Sequence, residues 1–169
     1  CVMLSGETAS GKYPVEALKT MVDTAEAAES AIDYWGRFRE NVLTPGVSTI
    51  NDAITHSCCL TAMDLGATAI LAATKSGHTA KVISRYRPAC PIVAVCQSEQ
   101  TRRQLAISWG VHPYLTGEVD STDRLFSMTV DVARKEGAVK CGDTVVITAG
   151  VPIGRSGSTN LIKAQVVGE

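Results

Sequence analysis

The densest run of groups able to hold an anion is Thr74-Lys75-Ser76-Gly77-His78-Thr79. It follows the apolar run Ala67–Ala73 and precedes residues with helical spacing. That places it at the carboxyl end of a strand and the start of a helix, where open α/β sheets take their ligands. A helix amino terminus offers backbone N–H groups without intrahelical partners and the positive end of the macrodipole. The hydroxyls of Thr74, Ser76 and Thr79, with the Lys75 ammonium, would complete a phosphate cradle, and His78 lies inside it. The spacing is not the G-x-x-x-x-G-K-[ST] pattern, so nucleotide hydrolysis is not implied. The competing reading is a plain helix cap by Ser76 or Thr79, with Lys75 in solvent.

A second candidate is the loop Gly150 to Ser158, which follows another apolar strand. Within it Gly154, Arg155, Ser156 and Gly157 could form a further anion contact, Arg155 binding bidentately. A solvent-exposed glycine-rich connection explains the same residues. The third is Ser5-Gly6-Glu7-Thr8-Ala9, a strand-end loop of the kind that lines a barrel rim. Ser5 and Glu7 lack a base, nucleophile or metal partner nearby. His56 and His112 read as structural. Trp35 and Trp109 are too few to stack single-stranded nucleic acid.

These loops need elements to hold them. Pro14 suits a first helical position, and Val15, Ala17, Leu18, Met21, Val22 and Ala25 recur at helical spacing, so a helix is expected to about Ser30. Residues 31–47 read as a linker. Ser48 is expected to cap a helix ending at Gly66. Strands are expected at 67–73, 91–95, 111–115, 143–149 and 159–167, with helices at 80–86, 99–109 and from 120–122 to 136. Strands alternating with helices mean βαβ units and a parallel sheet. The last two strands are joined by a short loop only, so they should be antiparallel. The expected fold is a three-layer α/β/α sandwich with five strands over 48–169. Residues 1–30 form a separate β-loop-α unit. Cys1-Val2-Met3-Leu4 looks like the end of a buried strand, as expected of a piece of a longer chain.

Composition narrows the classes. The chain has 169 residues, 45% hydrophobic and 20% charged. Sixteen basic residues balance 17 acidic ones for a net charge of −1, without the basic excess of a nucleic-acid binder or a membrane-surface protein. The six cysteines have no zinc-ligand spacing. They read as small core hydrophobes in a reducing cytosol, so a cytoplasmic location and no metal are expected.

The motifs converge on a family. Met3-Leu4-Ser5-Gly6-Glu7-Thr8-Ala9, continuing through Gly11-Lys12-Tyr13-Pro14-Val15-Glu16-Ala17, resembles the end of the catalytic barrel of the pyruvate kinases. The likeness continues through Ala67–Thr79, Tyr86-Arg87-Pro88 with Pro91-Ile92, and Gly142–Asn160. The resemblance implies that 1–30 are the last barrel strand, loop and helix, with Ser5 and Glu7 on the active-site rim. It implies a C-terminal regulatory and oligomerisation domain from about residue 48, in an enzyme passing a phosphoryl group from phosphoenolpyruvate to ADP. Magnesium and potassium, the catalytic lysine and the nucleotide contacts would belong to parts of the enzyme outside this chain. The chain alone is therefore expected to be inactive and to need no cofactor.

The resemblance also implies that Thr74, Lys75, Ser76, Gly77, His78 and Thr79 bind a phosphorylated effector, and that the assembly is a homotetramer. Gly117-Glu118-Val119-Asp120 is acidic where sugar-bisphosphate-activated members hold a second phosphate with an aromatic and an arginine. His78 stands where other members often carry Arg. A sugar or nucleotide monophosphate is therefore favoured. A stand-alone phosphate- or phosphosugar-binding module, and a doubly wound enzyme using Lys75, His78 and Arg155, are the alternatives.

Overall fold

The computed structural model describes residues 2–42, 49–153 and 157–168. It divides into one unit up to Asp33 and a second from Tyr34.

The first unit contains α1 (Gly6–Ala9) and α2 (Pro14–Ser30). Pro14 opens α2, where its missing N–H costs nothing. Val15, Leu18 and Val22 stay exposed on this helix. Two expectations are corrected here. Residues 2–4 form no strand, since a strand needs a neighbour for its ladder hydrogen bonds and none pairs with them. The Ser5–Ala9 loop winds into the single turn α1.

The second unit begins with α3 (Tyr34–Val42), inside the stretch expected to be a linker. Phe38 explains the difference. It is only 2% exposed, and its ring stacks on His56 at 5.0 Å. One deeply buried aromatic can anchor a short helix that propensity alone would not hold. The expected Ser48 cap lies outside the described residues. Thr49 is the N-cap of α4 (Ile50–Asp64), its hydroxyl accepting from the Asp52 N–H at 3.1 Å.

There follow β1 (Ala69–Ala73), α5 (His78–Arg85), β2 (Ile92–Cys96), α6 (Glu99–Leu105), β3 (Val111–Leu115), α7 (Thr122–Lys135), β4 (Thr144–Gly150) and β5 (Thr159–Val166). The sheet order is β3-β2-β1-β4-β5, parallel except for the antiparallel β4–β5 pair. Helix α6 stops at Leu105, short of the expected Trp109.

Successive strand residues face opposite sides of the sheet. Ile70, Ala72, Ile92 and Val146 pack with Cys59, Ala62, Ile83 and Leu105, under α4, α5 and α6. Leu71, Val93, Val145 and Ile147 pack with Phe126, Val130 and Ala133 of α7. Strands covered on both faces read as continuous apolar runs, as β1 and β2 do. Each fully buried Ile or Leu contributes about 1.5–3 kcal/mol.

Candidate anion cleft

The sheet order brings the carboxyl ends of β1, β2 and β4 to one rim, because β1 lies between the other two. The β1–α5 loop leaves from the middle of that rim. The Thr74 N–H donates to the Val95 carbonyl at 3.0 Å, extending the β1–β2 ladder by one bond. The Thr74 hydroxyl then accepts from the Gly77 N–H at 3.1 Å and folds the loop back on itself.

Gly77 is the N-cap of α5 with φ +81°. A Cβ there would lie 3.2 Å from Leu105 and Thr101 side-chain atoms. Glycine is thus required for both its left-handed backbone and the close approach of α6. The Thr101 hydroxyl also donates to the Lys75 carbonyl at 3.4 Å, so α6 supports the loop from outside. Neither Ser76 nor Thr79 caps the helix, which has no side-chain cap bond. The plain-cap reading is corrected, and the first-turn N–H groups of α5 keep no intrahelical partner.

The loop borders a cleft of about 620 Å³, counted out to its open mouth. Thr74, Lys75, Ser76 and Thr79 lie on its wall, whereas Gly77 and His78 do not. Gly77 is buried beneath the loop. The His78 imidazole meets α4 instead, its Nε2 lying 3.3 Å from Asn51 Nδ2. Of the second loop, Gly157 borders the cleft, while Gly154, Arg155 and Ser156 lie outside the described residues. Arg124 is on α7, exposed and paired with Asp120 at 3.3 Å. Ser5 and Glu7 belong to the first unit. There the N–H groups of Glu7 and Ser5 hold the Glu7 carboxyl below the ordinary carboxylate range.

Sequence reasoning missed several lining groups. Gln97 follows β2, Thr116 follows β3, and Thr159 opens β5. Each lies at a strand end on the β1 rim, a position that only the strand order discloses. Asn160 was missed too. Its amide accepts from the Val151 N–H at 2.9 Å and donates to the Val151 carbonyl at 2.6 Å, clamping the base of the second loop.

Among the described lining residues there are six hydroxyls, one ammonium and one amide, and no carboxylate. Such a wall can donate to an anion and would repel none. No three His, Cys, Asp or Glu side chains gather as a metal site among the described residues. No described helix is long and apolar enough to cross a membrane.

The architecture defines a three-layer α/β domain with a polar cleft, free of carboxylates among its described residues, at the carboxyl ends of its parallel strands. Comparison gives this class its family. The description "Pyruvate kinase, alpha/beta domain" matches residues 52–165. A pyruvate kinase of Clostridium acetobutylicum is 47% identical over 98% of this chain and 35% of its own length. One from Geobacillus stearothermophilus is 45% identical over 99% of this chain and 28% of its own. A crystal structure of a pyruvate kinase from Cryptosporidium parvum superposes with a TM-score of 0.84 and 32% identity, covering 98% of this chain and 33% of that one. The chain belongs to the pyruvate kinase family and spans about a third of the length of these relatives.

Proposed function

We propose that the second unit is the effector-binding domain of a pyruvate kinase, and that the β1–α5 cleft takes a phosphorylated effector. The observation that carries this reading is the cleft wall itself. Lys75 and the Thr74, Ser76 and Thr79 hydroxyls line it, with no carboxylate among the described lining residues. Charge-assisted hydrogen bonds of this kind are the strong ones. Gln97, Thr116 and Ser158 are polar groups placed to read the rest of the ligand. The acidic stretch Gly117-Glu118-Val119-Asp120 favours a sugar or nucleoside monophosphate in this reading.

The parent reaction in this reading is phosphoryl transfer from phosphoenolpyruvate to ADP, in a homo-oligomer. Magnesium and potassium would supply charge neutralisation there. In this reading the chain by itself, which spans about a third of the length of its pyruvate kinase relatives, is inactive.

Calorimetric titration with a sugar monophosphate, the matching bisphosphate and AMP tests the cleft. Coupled turnover of phosphoenolpyruvate with ADP, magnesium and potassium tests the inactivity. Monophosphate binding below millimolar concentration without turnover is expected. Failure of all three ligands to bind would remove the effector role.

A further inference from the structure

The polar side chains around the cleft divide into those already bonded within the protein and those left for a ligand. The Thr79 and Thr159 hydroxyls bond each other, and the Thr74 hydroxyl accepts from the Gly77 N–H. Gln97, directly after β2, is exposed on the cleft wall, and its amide bonds no other described residue. Thr116, directly after β3, is held from two sides. Its N–H donates to the Cys96 carbonyl at 2.9 Å, and its hydroxyl donates to the Met128 sulfur on α7. The hydroxyl oxygen keeps its lone pairs for a donor in the cleft.

Both residues extend the cleft on one side of the β1–α5 loop, since the strands along the rim run β3, β2, β1. Adjacent strands lie about 4.8 Å apart, so Gln97 and Thr116 stand about one and two such spacings from the end of β1. A sugar ring with its phosphate on the loop reaches along this span. Val95 and Leu125 give the span an apolar wall for the C–H face of the ring.

Given the anion-binding reading of the cleft, on which this rests, we infer that Gln97 and Thr116 determine its specificity: they hold the hydroxyls of a sugar ring and so select a sugar monophosphate over a nucleotide. The Gln97 amide both donates and accepts, the Thr116 oxygen accepts, and a sugar hydroxyl answers each of them. A nucleobase finds no platform. Bases off the stack are held on aromatic rings or guanidinium planes, and neither is present among the described lining residues.

The probes are inorganic phosphate, which reports the β1–α5 loop alone, glucose 6-phosphate and AMP. Each is titrated calorimetrically into the full chain, Gln97→Leu and Thr116→Val. Wild type should bind glucose 6-phosphate about ten-fold tighter than inorganic phosphate, and tighter than AMP. Each variant should bind glucose 6-phosphate about three- to ten-fold more weakly and inorganic phosphate within about two-fold of wild type, because one hydrogen bond to the ring is lost and the loop is untouched. Gln97 is exposed, so Gln97→Leu carries the test if Thr116→Val does not fold. Glucose 6-phosphate no tighter than inorganic phosphate, AMP tighter than glucose 6-phosphate, or equal losses for glucose 6-phosphate and inorganic phosphate in Gln97→Leu would overturn the specificity and leave the anion site standing. Binding of none of the three by wild type would overturn the site and the specificity together.

Discussion

The hydroxyls of Thr79 and Thr159 meet at 2.6 Å, both residues buried, across 80 residues of sequence. One is the second residue of α5 and the other the first of β5. This bond fixes the β1–α5 loop against the strand that carries the far side of the cleft. Removing one partner leaves the other hydroxyl buried and unsatisfied. Thr159→Val should therefore lower stability by about 1–3 kcal/mol in urea denaturation. The Thr79→Val/Thr159→Val double variant should lose less than the two single losses combined, because no orphan hydroxyl remains.

Gly77 should tolerate no side chain. Its φ of +81° and the 3.2 Å approach of Leu105 and Thr101 act together. Gly77→Ala is expected to cost about 1–2 kcal/mol from the left-handed backbone alone. Chemical denaturation measures it, and a loss under about 0.5 kcal/mol would show that the loop relaxes freely.

The cysteines should separate by reactivity. Burial, helped by the nearby Cys90, pushes the Cys58 thiol up to about 12. Burial raises Cys90 to about 11 and also raises Cys59 and Cys96. Cys141 is exposed. The thiolate is the reacting form, so iodoacetamide at pH 7.5 should label Cys141 well before Cys58, Cys59 or Cys96. Peptide mass mapping over time reads the order.

Acid should loosen α6 first. Hydrogen bonds from Arg102, then Arg103, hold the Glu99 carboxyl down at about 2. A carboxyl lowered in the folded state stabilises it above its ordinary value near 4.5, and the contribution fades as pH falls from there toward 2. Amide protection factors in α6 should fall over that window in wild type. In Glu99→Gln they should already be lower at pH 7 and change less on acidification. Since α6 props the loop through Thr101, sulfate affinity should follow the same trend.

The sheet was legible because β1, β2 and β4 are apolar runs closed by polar turns, and because the short β4–β5 connection excludes a parallel crossover. The Thr74–Thr79 loop was legible as a strand-to-helix turn rich in donors. Helix α3 was hidden because its anchor is tertiary. Phe38 has meaning only against His56 and Tyr86, which lie elsewhere in the chain. His78 looked like part of the cradle from its position, yet the helix turns it toward Asn51 on α4. Gln97, Thr116 and Thr159 are scattered in sequence and meet only through the strand order.

The effector claim rests on Lys75, the one ammonium on the described wall of the cleft. Its most direct test is a calorimetric titration of a sugar monophosphate into wild type and Lys75→Ala. A charge-assisted bond contributes roughly 1.5–3 kcal/mol, so the variant should bind about ten- to a hundred-fold more weakly. Binding should persist, because the α5 N–H groups and the hydroxyls remain. Equal affinities for wild type and variant, or no binding to wild type below millimolar concentration, would contradict the account.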